Sequence, residues 1–267
     1  MFRRWLWALV LPLLLVAPAK ALRVCADPDY LPYSNRAGAG FENKIAEAVA
    51  AALGEKAEYT WASYRGHGGF PQFLSTTLDA NKCEVVMSLP YGSREELTTR
   101  PYYTSSYVFV FRSDKKLAIT SLNSPALKRL KIGFERDTPA EEGLKMRGLI
   151  PGTPPGGIVS FDIADDSSVS PATMLEAVQN GRIDVLITWQ PVISGFLRSS
   201  AGLELVAVPN ERVLGPPEQY AFPMSLAVRE GNDALKKRLD AVIESHQAEL
   251  TSILTAQGVF VYGQGSK

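Results

Sequence analysis

Histidine and cysteine are the scarcest reactive groups in this 267-residue chain, with two of each: His67, His246, Cys25 and Cys83. Two cysteines exclude a disulfide-dense mini-protein and a four-thiolate zinc site, and no C-x-x-C-H run is present to attach a haem. Neither histidine has sequence neighbours that would complete a metal pair or a catalytic triad. An excess of one charge is missing too. The 28 Lys and Arg stand against 28 Asp and Glu, so the clustered basic surplus that nucleic acid demands is absent. There is no G-x-S-x-G nucleophile motif. GAGFEN at 38–43 neither follows a strand directly nor ends in Gly, and GHGG at 66–69 is too short to cradle a phosphate. Asp162, Asp165 and Asp166 lack the spacing of a calcium loop and read as a solvated acidic turn. What is present, 46% apolar and 21% charged residues, fits an ordinary folded protein of one large or two smaller domains.

Residues 1–21 stand apart from the rest. Arg3 and Arg4 precede an apolar run at 5–16, and Ala19-Lys20-Ala21 follows, which reads as a secretory signal peptide cleaved after Ala21. The run is too short to cross a bilayer and contains Pro12. A lipoprotein would carry cysteine at the cleavage point, whereas Cys25 lies beyond it. The expectation is a protein free in the periplasm, with 25 basic and 28 acidic residues and a net charge of −3. In that oxidising space Cys25 and Cys83 are expected to form a disulfide, the alternative being two buried free thiols.

The mature chain then alternates. Residues 22–26 read as a strand, followed by the loop DPDYLPYSN. A helix carries Phe41, Ile45, Val49 and Leu53 on one face and stops at Gly54. A strand at 57–61, a helix at 70–80 and a strand at 84–88 complete a parallel α/β unit. The pattern restarts with a strand at 131–134, a helix at 140–146 and a strand at 159–163. Ser170 and Pro171 then open a helix that ends at Gly181, and a strand follows at 184–188. Alternating apolar segments at 107–112 and 224–229 are long enough to pass between the two units, and a long amphipathic helix from Leu235 to Leu254 closes the chain. No internal repeat stands out, and the one biased stretch is a Pro/Gly loop at 150–157.

The motifs RVCADPDYLPYS, AGAGFENKIAEAVAAALG, GFPQFLSTTLDANKCEVVMS, TTRPYYTSSYVFV, KRLKIGFERDTPAEEGL, MLEAVQNGRIDVLIT and FPMSLAVREGNDALKKRLDAVI occur in this order. Their succession resembles the family 3 solute-binding proteins of bacteria over nearly the whole mature chain. RVCADPDYLPYSN, GFENKIAE, KCEVVMSLP and TTRPYYTSSYVFV are similar, more closely, to the MoxJ/XoxJ type of periplasmic binding protein encoded with PQQ-dependent quinoprotein dehydrogenases; Cys25 and Cys83 fall inside these motifs. The stretch YRGHGGFPQF and the carboxyl end GVFVYGQGSK depart from the general family pattern.

This resemblance implies an α/β, two-lobed type II periplasmic binding protein fold, two open sheets joined by a two-strand hinge. Lobe 1 would comprise 22–109 and 226–267 and lobe 2 110–225, with crossings near 109–112 and 223–226. It implies a cleft lined from lobe 1 by Asp29, Tyr30, Tyr33, Phe41, Tyr64, Arg65, Pro90 and Tyr91, and from lobe 2 by Arg136, Asp137, Thr138, Ser168, Trp189 and Gln190. It also implies a monomer without enzymatic activity or cofactor, acting as an accessory, activation or maturation factor of a PQQ-dependent methanol dehydrogenase of the lanthanide-dependent, XoxF type. The alternative is an ABC importer's binding protein for a small solute other than an amino acid. An enzyme on the same scaffold would need an acid or base in the cleft, for which Asp29 is the candidate.

Amino-acid-binding members of the family hold the ligand carboxylate with an Arg at a fixed distance before PYY. The nearest candidate here, Arg94, lies too close to Pro101, and the Asp that holds the ammonium group in those members is replaced by Trp189. The chain is therefore expected not to bind an ordinary amino acid.

Overall fold

A computed structural model describes residues 20–66, 68–94, 96–211 and 218–262. Residues 1–19 of the expected signal peptide, together with His67, lie outside them.

Alternation of inward Leu22 and Val24 makes β1 (Ala21–Ala26) a central strand. The Pro-rich loop after it folds into a small hairpin, β2 (Asp29–Tyr30) with β3 (Ser34–Asn35). Helix α1 (Phe41–Ala52) buries Phe41, Ile45 and Val49 at the expected four-residue spacing. Gly40 opens this helix because a Cβ there would collide with the Tyr33 carbonyl, which accepts from the Glu42 amide at 2.9 Å. Strand β4 (Lys56–Trp61) follows and pairs in parallel with β1.

Helix α2 (Gly69–Thr76) is shorter than the 70–80 expected, because the Thr76 and Thr77 hydroxyls bond back to the Gln72 and Phe73 carbonyls at 2.7 and 2.6 Å as the turn unwinds. Strand β5 (Val85–Pro90) runs parallel to β1, and a disulfide joins Cys25 of β1 to Cys83 just before β5, with Cα atoms 5.4 Å apart and both residues fully buried.

Strand β6 (Leu97–Arg112) is 16 residues long and links everything that follows. Beyond it come β7 (Ile132–Glu135), α3 (Pro139–Met146), β8 (Ile158–Phe161), α4 (Pro171–Gln179) and β9 (Val185–Trp189). The cap of α4 is as expected: the Ser170 hydroxyl accepts from the Thr173 amide at 3.2 Å and Pro171 occupies the first turn. The short α5 (Gln190–Ile193), then β10 (Leu203–Ala207), β11 (Ala221–Val228) and α6 (Asp233–Ala256) complete the chain.

Hydrogen bonding runs β4-β1-β5-β11-β6-β9-β7-β8, with β10 also on β6. The first part of β6 pairs with β11 and its second part with β9 and β10, so one strand belongs to both sheets and curls them into a continuous path. One apolar cluster joins Leu22, Phe41, Ile45 and Tyr102 to Leu239, Ile243 and Leu250 of α6, and a smaller one surrounds the disulfide. Two others flank the second part of β6, around Phe109, Phe111 and Ile187 on one face and Val110, Met174 and Leu186 on the other.

Candidate binding cleft

The carboxyl ends of β5, β7 and β9 point to one region, as parallel strands in an α/β sheet do. There, Pro90, Tyr107, Glu135, Trp189, Phe222 and Met224 surround a cavity of about 380 Å³. The Trp189 ring lies 5.4 Å from that of Tyr107, inclined at 54°, and 5.9 Å from that of Phe222, inclined at 69°. Among the described residues, Glu135 is the one charged residue in the lining. Its Oε1 accepts from the Thr188 hydroxyl and, at 3.3 Å, from the Trp189 amide. Burial raises its carboxyl to about 7, these two donors opposing the shift.

A second, smaller cavity of about 180 Å³ also reaches Glu135 and is bounded by Tyr30, Tyr64, Arg65, Arg136, Asp137 and Asp162. Arg136 pairs with Asp162 at 2.6 Å. Arg65 lays its guanidinium 5.5 Å from the centre of the Tyr30 ring, and its buried Nε has no hydrogen-bond partner among the described residues. Tyr30 stacks on Tyr33 at 5.2 Å and meets Tyr64 edge-on at 5.5 Å. Beside this cavity the Gly66 amide donates to the Ala164 carbonyl at 3.2 Å, a link between the loop after β4 and the loop after β8.

Of the residues expected in the cleft, Pro90 and Trp189 line the larger cavity, and Tyr30, Tyr64, Arg65, Arg136 and Asp137 the smaller. The others line neither. Phe41 is fully buried in the core under Tyr33, 5.0 Å away. Asp29 is exposed, and its amide is held by Asp27 Oδ1 at 2.8 Å. Tyr91 is 56% exposed. Thr138 caps α3, its hydroxyl on the Glu135 carbonyl at 2.7 Å, and Ser168 closes a surface turn by donating to Asp166 at 2.6 Å. Gln190 is buried and spends its side-chain amide on the carboxyl-terminal segment, Nε2 to the Gly258 carbonyl at 2.9 Å and Oε1 from the Phe260 amide at 2.7 Å.

Glu135, Tyr107, Phe222 and Met224 are not among the residues expected from sequence. The expected strand ended at Phe134, whereas β7 runs on to Glu135; a carboxylate directly after an apolar parallel strand is the signal that points to it. Asp27, 1% exposed, is another: it accepts from the Asp29 amide and, at 2.7 Å, from that of Tyr64, fixing the loops beside the smaller cavity. Glu42 is a further buried acid, raised to about 7 by burial, and bonds Ser88, whose hydroxyl also meets Tyr102 at 2.9 Å.

Arg94 is exposed after β5 and lines neither cavity. Among the described residues no group of three or more His, Cys, Asp or Glu is arranged to hold a metal. His246 of α6 sets Nδ1 against the Ser245 hydroxyl at 2.8 Å, a local helix contact. Among the described residues no helix is long and apolar enough to cross a membrane.

Known proteins share both sequence and fold. The sequence profile of the bacterial extracellular solute-binding proteins, family 3, matches residues 22–254. Protein MoxJ of Methylorubrum extorquens is 33% identical over 90% of this chain and 81% of its own length. The crystal structure of MxaJ from Methlophaga aminisulfidivorans MPT superimposes with a TM-score of 0.76 at 25% identity, covering 90% of this chain and 99% of that one. The periplasmic binding protein XoxJ from Methylobacterium extorquens AM1 gives a TM-score of 0.71 at 28% identity, covering 91% and 100%. With the family profile matched over residues 22–254 and a relative 33% identical over 90% of this chain's length, the chain belongs to the bacterial extracellular solute-binding proteins, family 3.

Proposed function

We propose that the protein is a non-catalytic periplasmic binding protein that serves as an accessory, activation or maturation factor of a PQQ-dependent methanol dehydrogenase, of the lanthanide-dependent, XoxF type. The observation that carries this reading is a cleft stripped of the amino-acid clamp. Arg94 stays outside the cavities, Trp189 stands at the strand end where amino-acid-binding relatives place an Asp, and the larger cavity is aromatic and apolar apart from Glu135. Likeness to MoxJ, MxaJ and XoxJ supports it. The protein acts as a monomer without a cofactor, exported to the periplasm by cleavage after Ala21. Its lobes, 22–109 with 226–267 and 110–225, pivot near 109–112 and 223–226. Deleting the gene tests the reading: dehydrogenase activity in periplasmic extracts should fall and return on complementation, and unchanged activity would refute it.

The cavity volume of about 380 Å³, which suits a small molecule, favours a second reading as the binding subunit of an ABC importer for a solute other than an amino acid. A thermal-shift screen of solutes separates the two, since a true solute at a thousand times its Kd adds ~4 kcal/mol of stability.

A further inference from the structure

We propose that the larger cavity is a binding site for a small organic ammonium ion, its alkylated nitrogen seated among the Tyr107, Trp189 and Phe222 rings and facing the Glu135 carboxylate. This rests on the reading of the chain as a binding protein and names the class of molecule its cleft takes.

Three observations meet here. The first is the wall. The ring of Trp189 is inclined at 54° to Tyr107 and at 69° to Phe222, with centroids 5.4 and 5.9 Å away, and all three residues line the cavity, so its wall is aromatic and set at several angles. Ring faces carry negative potential, and any face in such a wall attracts a diffuse positive charge, more strongly where water is excluded.

The second is an acid without a counter-charge. Among the described residues no Lys or Arg pairs with Glu135; its neighbours are the Thr188 hydroxyl and the Trp189 amide, both on Oε1, and no hydrogen bond reaches Oε2. The nearby Arg136 is already engaged by Asp162. A buried carboxylate is costly unless a cation, further donors or a proton satisfies it, and the cavity is where a cation would come from.

The third is what the remaining wall excludes. Pro90, Pro139, Val192 and Met224 complete the lining, and among the described residues it holds no basic side chain with which an anion could pair. A strongly hydrated inorganic cation would be stripped of water without enough oxygen ligands to replace it. An alkylammonium ion, weakly hydrated and bulky, fits both the rings and the carboxylate.

Isothermal titration calorimetry on the mature protein tests this with choline and tetramethylammonium against 3,3-dimethylbutan-1-ol, which has the shape of choline without its charge. Choline should bind at least about ten-fold tighter than the neutral alcohol, the margin expected of a desolvated cation–π site. Glu135→Gln, which keeps the side-chain shape, should lose most of that margin, and Trp189→Leu should weaken both ammonium ions. Circular dichroism confirms that each variant is folded, and Trp189→Phe, which keeps an aromatic face, serves in place of a Leu variant that does not fold, with partial retention of binding expected. Equal affinity for choline and the alcohol, no heat from either ammonium ion at millimolar concentration, or unchanged choline binding by Glu135→Gln would overturn the proposal. Capture of the dehydrogenase by wild-type protein is measured alongside. Capture without choline binding removes the ligand assignment alone, and choline binding without capture removes the dehydrogenase role alone.

Discussion

The side-chain amide of Gln190 brackets Gly258, donating from Nε2 to its carbonyl at 2.9 Å while Oε1 receives the Phe260 amide at 2.7 Å. Gly258 itself is held so closely that a Cβ would lie 2.8 Å from the Ser194 carbonyl, and Arg198 donates to the Ala256 carbonyl at 2.5 Å. The end of α6 is thus tied to the segment after β9. Gln190→Ala should destabilise the protein by ~1–3 kcal/mol through the backbone groups it leaves unpaired. Denaturant unfolding measures the loss, and hydrogen exchange should quicken at 258–262.

The Cys25–Cys83 bridge spans a sequence separation of 58 residues inside a buried cluster. On the chain-entropy model a loop of this length contributes ~4 kcal/mol. Replacing both cysteines by Ser, or reducing the native protein, should lower the urea midpoint accordingly.

Glu42 and Glu135 are each raised by burial from 4.5 to about 7. Between those values the folded chain holds protons that the unfolded chain has lost, so the two acids make stability fall as pH rises from 4.5 to 7 and level off above. Glu135→Gln and Glu42→Gln should each flatten that fall, measured as unfolding free energy against pH, while a slope unchanged in both would contradict the assignment.

Arg147 forks between Glu211 at 2.7 Å and Glu218 at 2.8 Å, and Glu218 also accepts from the Tyr220 hydroxyl at 2.6 Å. Favourable pairing lowers the Glu218 carboxyl despite its burial. Arg147→Met leaves two largely buried carboxylates facing each other without a cation, and should cost ~3 kcal/mol in thermal or chemical unfolding.

Local chemistry made much of the fold readable. The spacing of Phe41, Ile45 and Val49 and the Ser170-Pro171 opening of α4 act within a few residues, and both helices formed where they placed them, whereas the alternation through 107–112 marked only the end of β6, which starts at Leu97. Tyr30 lies inside a family motif and lines the smaller cavity, whereas Trp189, Tyr64 and Arg65, which stand where the chain departs from the family pattern, line the cavities as well. What stayed hidden depends on partners far along the chain. Gln190 finds Gly258 across 68 residues, and Tyr107, Phe222 and Met224 come together only through the pairing of β6 with β11. Phe41 carries the same apolar signal whether it faces a cleft or a core. Glu135 was missed by a single residue at a strand end, where its carboxylate decides the charge of the whole cavity.

Affinity capture of the tagged mature protein from periplasmic extract, with mass spectrometry of what elutes, separates a dehydrogenase partner from an importer. The large subunit of a PQQ-dependent methanol dehydrogenase should co-elute well above an untagged control. Absence of that subunit, with an ABC permease component retained in its place, would contradict the dehydrogenase role.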